Sequence, residues 1–170
     1  MKELLILIKM LFQSKPSDIK EVELLGMNNF PFKGYKYLMW CGKMIYRNDM
    51  KEKRNKEWNT LAFNKSINHE SIHLNQAKKE GSWIKYYRKY FTEWLKGGII
   101  MAPVSSAYYT NPFEMEAYAN EDNFDYPEGM VINEDNYSSS NFTKYIIKKG
   151  RKKLYKKIGR NKWKEYIKTL

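Results

Sequence analysis

Cysteine is nearly absent from this sequence, and histidine is scarce. Cys41 is the only cysteine, and histidine occurs twice among 170 residues. A single thiol excludes an intramolecular disulfide and excludes zinc sites built from several cysteines. A metal site in this chain must therefore draw on its two histidines and on carboxylates.

The sequence also lacks an apolar run of about 20 residues, the length that a transmembrane helix needs. Its most apolar stretch, Met1 to Phe12, is interrupted by Glu3 and Lys9, and no small-residue cleavage site follows it. We interpret this stretch as a buried strand or short helix rather than an export signal. The expectation is a soluble, cytoplasmic protein.

The composition is that of a folded protein, with 42% hydrophobic and 16% aromatic residues. The length suits one domain. We expect an α+β domain over residues 1–143, mainly helical with a β-hairpin or small antiparallel sheet. A basic helical tail over residues 144–170 is expected to follow it.

Local patterns predict several elements of this domain. Aromatic residues on both sides of Cys41-Gly42 predict a hairpin between Tyr35 and Arg47. Apolar residues and histidines at intervals of three and four predict a helix from Thr60 to Glu80. Gly81-Ser82 should end it and begin an aromatic helix whose stripe we assign to core packing. Asp125 to Asn141 is predicted to be a loop.

Charge is distributed unevenly along the chain. Residues 98–143 contain no Lys or Arg and eight acids, whereas residues 144–170 contain twelve Lys or Arg and one acid. We therefore expect the basic C-terminal segment to dock on the acidic segment, or to bind anionic lipid or nucleic acid. No signature of a known nucleic-acid-binding module is present.

The residues that carry chemistry form the pattern H-E-x-x-H at His69, Glu70 and His73. Two histidines four apart on a helix are rotated by only about 40°, so both imidazoles can bind one metal ion. Random placement would space the two histidines in this way in about 1% of arrangements, before a Glu is required beside the first. The pattern predicts one zinc ion per chain.

A third protein ligand must be a carboxylate, and the helix that begins at Asn111-Pro112 offers Glu114 and Glu116. We expect Glu114 to reach back to the cap of this helix, which favours Glu116 as the ligand. Glu114 remains the alternative. Asn120 lies one turn after Glu116 and is expected to accept a hydrogen bond from a ligand imidazole.

These motifs resemble those of the zincin metallopeptidases, in the branch whose third ligand is a glutamate on a second helix, with the motif E-x-x-x-D. Here Glu116 matches the glutamate, and Asn120 replaces the aspartate. The stretches NHESIHLNQ and NPFEMEAYAN are also similar to small uncharacterised zincin-like proteins of gut bacteria and their phages. The resemblance covers about Leu61 to Asp122.

The resemblance implies a peptidase-like hydrolase that acts on a peptide or protein. Glu70 would be the general base that takes a proton from metal-activated water. One of three tyrosines would stabilise the oxyanion: Tyr108, Tyr109 or Tyr118. The hairpin would offer an edge strand for an extended substrate.

A rival interpretation is a non-enzymatic protein with a zincin fold, such as a structural or assembly protein of a phage particle. The small size of the chain and the amide at Asn120 favour this interpretation. The presence of Glu70 argues against it, because this residue is not a metal ligand.

Overall fold

A computed structural model describes residues 2–31, 35–97, 106–132 and 151–170. Within these ranges the chain is mainly helical and includes one small sheet, which is the expected α+β class. The helices are α1 (Lys2–Gln13), α2 (Lys51–Glu57), α3 (Leu61–Glu80), α4 (Trp83–Gly97), α5 (Ser106–Tyr109), α6 (Pro112–Asn120), α7 (Tyr126–Ile132) and α8 (Arg151–Ile167). The strands are β1 (Glu23–Met27), β2 (Leu38–Trp40) and β3 (Lys43–Arg47).

The sheet has the order β1-β3-β2 and is mixed rather than antiparallel. Strands β2 and β3 form the predicted hairpin, and Cys41 and Gly42 turn the chain with φ values of 49° and 80°. Positive φ at both turn residues matches the right-handed twist of the paired strands. Strand β1 pairs parallel with β3 and was not predicted.

Helix α1 is formed by the apolar N-terminal stretch, which we predicted to be a buried strand or short helix. It is helical, but it is not buried as expected, because most of its apolar side chains are exposed: Leu4, Leu5, Ile6, Ile8 and Phe12. Its buried Leu7 packs with Met27 and Ile45 of the sheet. The Leu7 carbonyl accepts a 2.9 Å hydrogen bond from Nε1 of Trp40. These contacts fix one face of the helix on the sheet.

Helices α3 and α4 form as predicted. The Thr60 side chain caps α3 by accepting a hydrogen bond from the Phe63 amide. Gly81 ends the helix with φ 71°, a left-handed conformation that glycine adopts without strain. Trp83 and Tyr86 of α4 are buried, so the first part of its aromatic stripe belongs to the core as expected, whereas Phe91 and Leu95 at its end are 44% and 57% exposed.

Helix α7 corrects the prediction of a loop from Asp125 onward. Asn123 accepts hydrogen bonds from the amides of Asp125 and Tyr126 and so begins the helix. Pro127 is tolerated because it lies in the first turn, where its missing N–H has no helical partner. The remainder of the predicted loop lies outside the described residues.

Helix α8 belongs to the domain rather than to a detached tail. Trp163 and Ile167 are almost fully buried, and Nε1 of Trp163 donates a 2.7 Å hydrogen bond to the Tyr109 carbonyl. As expected from the charge pattern, Lys164 and Lys168 pair with acids of the segment after α6, Glu121 and Asp122. Gly159 interrupts the helix with φ 77°.

Across the described ranges, no helix combines the length and the apolar character that crossing a bilayer requires.

Candidate metal centre

Helix α3 presents both histidines on one buried face, as their spacing predicts. The side chains of His69 and His73 are 6% and 4% exposed, and their Nε2 atoms lie 3.2 Å apart. Their rings meet edge to face at a centroid distance of 4.9 Å. The two Nε2 atoms therefore converge on one point beside the helix.

Helix α6 brings the carboxylate of Glu114 to that point. Oε2 of Glu114 lies 3.3 Å from Nε2 of His69, and Oε1 lies 3.4 Å from Nε2 of His73. Glu114 is only 3% exposed. Within the described residues, these three side chains form the group with one ligand atom each close enough to hold a metal ion.

This geometry differs from the expected ligand set, in which Glu116 was the third ligand. The Asn111 side chain caps α6 by accepting from the Phe113 amide, but the Asn111 amide donates to the Tyr108 carbonyl at 3.0 Å rather than to Glu114, as we had expected. Glu114 instead turns toward the histidines and accepts a 2.6 Å hydrogen bond from the Tyr90 hydroxyl. Glu116 lies about 200° further round the helix and cannot face the same point.

Glu116 is nevertheless buried beside the centre. Its Oε2 accepts a hydrogen bond of 2.9 Å from Nε2 of Gln76, and its Oε1 accepts one of 2.8 Å from the Tyr126 hydroxyl. Oε1 of Gln76 lies 2.7 Å from Nδ1 of His73. A chain of hydrogen bonds therefore connects Glu116 to an imidazole through Gln76.

The expected role of Asn120 is not seen. Its side-chain amide donates to the Glu116 carbonyl within α6 rather than pairing with an imidazole. Nδ1 of His69 lies 3.4 Å from Oε2 of Glu121, which is also close to Lys164 of α8. The acidic segment after α6 therefore supplies the carboxylate beside His69.

The donor atoms lie close to the spacing of a tetrahedral zinc site. Zinc lies about 2.0–2.2 Å from nitrogen and oxygen ligands, so neighbouring ligand atoms in a tetrahedron are about 3.3–3.6 Å apart. The two Nε2 atoms lie 3.2 Å apart, and each lies 3.3–3.4 Å from one oxygen of Glu114, Oε2 for His69 and Oε1 for His73. Oε2 of Glu114 is also buried without a hydrogen bond to any described residue. This donor set fits zinc.

The carboxylate strongly perturbs the titration of the pair. Burial alone would lower the pKa of His69, but the carboxylates of Glu114 and Glu121 outweigh it and raise the pKa to about 10. For Glu114, burial opposes ionisation, and the two neighbouring imidazoles nevertheless hold its pKa well below the usual range. The centre thus favours an ionised carboxylate facing cationic groups.

Glu70 lies beside this centre with 9% of its surface exposed. Burial raises the pKa of its carboxyl group, and the charges of His69 and His73 only partly offset this effect. Its carboxylate accepts no hydrogen bond from another described residue. Glu70 therefore has the environment of a proton acceptor that titrates above the range of an exposed glutamate.

The three tyrosines that we singled out do not contribute equally. The Tyr118 ring lies 4.5 Å from the His69 ring, and its hydroxyl donates to that of Tyr108 at 3.4 Å. Tyr109 packs instead in the cluster around Trp163 of α8. Tyr118 therefore contacts a histidine of the pair, and Tyr108 is linked to that position through the Tyr118 hydroxyl.

Tyr90 is a residue of the centre that sequence reasoning missed. Its hydroxyl bonds directly to Glu114, and its ring lies 6.4 Å from the His73 ring. In the sequence it is one member of an apolar helical stripe, and nothing distinguishes it from its aromatic neighbours. Only the packing of α4 against α6 reveals its role.

Comparisons with protein-family models, with curated protein sequences and with solved structures found no match to this chain. The chemistry of the centre is therefore inferred from its geometry.

Proposed function

We propose that this protein is a zinc-dependent hydrolase of the metallopeptidase type. The observation that carries the proposal is the convergence of three buried side chains, each with one ligand atom within 4.8 Å of the others, with Glu70 next to His69 in the chain. His69, His73 and Glu114 would hold the ion. Zinc bound there would polarise a peptide carbonyl and lower the pKa of a water molecule.

Glu70 is the general base in this proposal. A base works best when its pKa lies near the working pH, and the burial of Glu70 raises its pKa in that direction. Its carboxylate would take the proton of the attacking water and deliver it to the leaving amine. The helical geometry that joins Glu70 to His69 keeps the base beside the ligands.

The hydroxyls of Tyr108 and Tyr118 are the donors proposed to stabilise a developing oxyanion. Burial raises the pKa of both hydroxyls far above its usual value, so both remain protonated donors. Tyr90 is less suited to this role because its hydroxyl donates to the charged Glu114 carboxylate at 2.6 Å, whereas the bond from the Tyr118 hydroxyl to Tyr108 is 3.4 Å long and is broken more easily. Strand β2 lies at one edge of the sheet, where an extended peptide can add a strand.

A second candidate function is a structural zinc site in a non-enzymatic protein, for example an assembly protein of a phage particle. The low exposure of His69, His73 and Glu114, each 6% or less, favours this candidate because a substrate must reach the metal. A structural site would also tie α3 to α6. Zinc would then stabilise the fold without any role for Glu70.

The experiment that tests the proposal combines metal analysis with hydrolysis. Protein purified without chelator should contain one zinc per chain and cleave members of a broad peptide library. Glu70→Gln should retain the zinc and the fold but lose cleavage, since an amide cannot accept the proton. Glu80→Gln, at the far end of the same helix, is the matched control and should cleave normally.

The outcomes separate the two candidates. Stoichiometric zinc without cleavage of any peptide would favour the structural site. Equal cleavage by Glu70→Gln and the wild type would refute the proposed base. Protein that binds no zinc would refute both candidates.

A further inference from the structure

The amide of Gln76 lies between a buried carboxylate and one of the proposed zinc ligands. Gln76 is 1% exposed, and Glu116 is 4% exposed. The Nε2 atom of Gln76 donates to Oε2 of Glu116 at 2.9 Å and to the Phe113 carbonyl at 3.0 Å. Its Oε1 lies 2.7 Å from Nδ1 of His73.

These contacts fix which end of the amide faces the imidazole. The Phe113 carbonyl can only accept a hydrogen bond, and an ionised Glu116 carboxylate can only accept as well. The NH₂ group of Gln76 must therefore point at both of them. Its oxygen then faces His73, so that Nδ1 of His73 carries the proton and donates it to Gln76.

The position of this proton decides what the other ring nitrogen can do. With the proton on Nδ1, a neutral His73 presents the lone pair of Nε2, which is the atom 3.4 Å from Glu114. The opposite tautomer would place a hydrogen on Nε2 and prevent coordination. The amide thus selects the tautomer that a metal ligand needs.

We propose that Glu116 and Gln76 are positioning residues, with the carboxylate of Glu116 acting on His73 through the interposed amide. The inference rests on the proposed metal centre. The negative charge on Glu116 polarises the Gln76 amide, which strengthens the hydrogen bond from Nδ1 and makes Nε2 a better electron-pair donor. The Tyr126 hydroxyl holds the other oxygen of Glu116, so α7 completes the arrangement.

A double-mutant cycle on zinc affinity tests whether Glu116 acts through Gln76. Glu116→Gln keeps the shape and removes the charge, and Gln76→Met removes the acceptor at similar volume. Partners of ligand histidines typically contribute about 10- to 100-fold in metal affinity, so each variant should weaken zinc binding within that range. If the carboxylate acts on His73 through the amide, the double variant should bind about as weakly as Gln76→Met alone.

Asn75→Leu is the matched control. It also removes a side-chain amide of α3 that donates to a backbone carbonyl, in this case that of Pro127 at 2.6 Å. Its affinity for zinc should equal that of the wild type. If a weakened α3 were enough to lower zinc affinity, Asn75→Leu would also bind zinc more weakly than the wild type.

A second readout is the tautomer itself. Long-range proton–nitrogen correlation spectra of the zinc-loaded wild type should place the proton of His73 on Nδ1. This proton resonance should shift in Glu116→Gln, which keeps the test valid even if Gln76→Met does not fold. An unshifted resonance, a proton on Nε2, or additive losses in the double-mutant cycle would overturn the inference. Wild-type protein that does not bind zinc would instead refute the proposed function.

Discussion

Oε2 of Glu114 lies 3.3 Å from Nε2 of His69, and this contact joins the first turn of α6 to the middle of α3. Both side chains are more than nine-tenths buried, so bulk water has little access to either atom. Among the described residues, Oε2 of Glu114 accepts no hydrogen bond, so it is suited to bind a metal ion.

The first prediction distinguishes the two glutamates of α6. Glu114→Gln should abolish stoichiometric zinc, because an amide replaces the charged ligand oxygen between the histidines. Glu116→Gln should still bind one zinc, with lower affinity. Metal analysis of both variants after dialysis against a weak chelator checks this order. If Glu116→Gln loses its zinc while Glu114→Gln keeps it, the ligand assignment from the structure is wrong.

The second prediction concerns pH. Because the pKa of His69 is raised to about 10, the metal-free folded protein holds a proton that an unfolded histidine releases near pH 6.5. This stabilisation is fully present below about pH 6.5 and is lost as the pH rises toward 10. Zinc must displace the proton, so zinc affinity should rise with pH across the same window.

A pH-indicator dye in weakly buffered solution at about pH 8 measures the proton released when zinc binds. Glu121→Gln removes one of the carboxylates that raise the pKa of His69, so this variant should release fewer protons. Zinc binding without proton release at this pH would contradict the assignment of His69.

The third prediction concerns the packing of α8. Trp163→Ala should lower the free energy of unfolding by about 3–5 kcal/mol, because it removes a fully buried indole. Trp58→Ala is the control, since Trp58 is 47% exposed, and its loss should be much smaller. Urea denaturation of both variants measures the difference. Equal losses would mean that α8 is not part of the core.

The fourth prediction concerns the outward face of α8, where Lys153, Lys156 and Lys157 are exposed. We propose that these lysines bind an anionic surface such as acidic lipid or nucleic acid. The protein should bind acidic vesicles or DNA at low salt and dissociate as salt rises, because exposed charges are screened beyond about 10 Å at 0.1 M. Co-sedimentation measures binding to the vesicles, and gel-shift titration measures binding to DNA.

A matched pair of variants locates that surface. Replacing the three lysines of α8 by Gln should weaken binding, whereas replacing three exposed lysines of α2 should not: Lys51, Lys53 and Lys56. Binding that is insensitive to salt, or equally weakened by both triple variants, would refute the role of α8.

The sequence correctly predicted the helices and turns whose formation depends on residues close together in the chain. The helix of His69 and His73 follows from periodicity and from its cap at Thr60, and the hairpin follows from Cys41-Gly42. The hydrolytic activity stays a prediction, which the geometry of the centre supports. The likeness to zincin metallopeptidases stays a prediction as well, and its expected ligand Glu116 does not face the histidines.

The choice between Glu114 and Glu116 failed for a physical reason. The two side chains point about 200° apart, so the rotation of α6 against α3 decides which one meets the histidines. That rotation is set by burial of Met115 on one side and Ala117 on another, in two different clusters. Such contacts come from distant parts of the chain and leave no local pattern.

The parallel pairing of β1 with β3 and the role of Tyr90 were missed for the same reason. Parallel strands are joined by contacts across a long connection, and β1 lies on the far side of β3 from its hairpin partner.

Helix α7 was missed because Pro127 and Gly129 resemble loop residues, although the first turn of a helix tolerates proline.

The separation of the ligands along the chain has a further consequence. His73 and Glu114 are 41 positions apart, so an ion bound by both would close a loop of that length. Such an ion would act as a disulfide does in other proteins, a cross-link that this chain cannot form within itself because it has one cysteine. At a free zinc concentration 100 times the Kd, such a cross-link adds about 2.7 kcal/mol to the stability of the fold. When zinc is scarce, more chains would open and meet proteases. The lifetime of this protein in a cell would then follow the zinc supply.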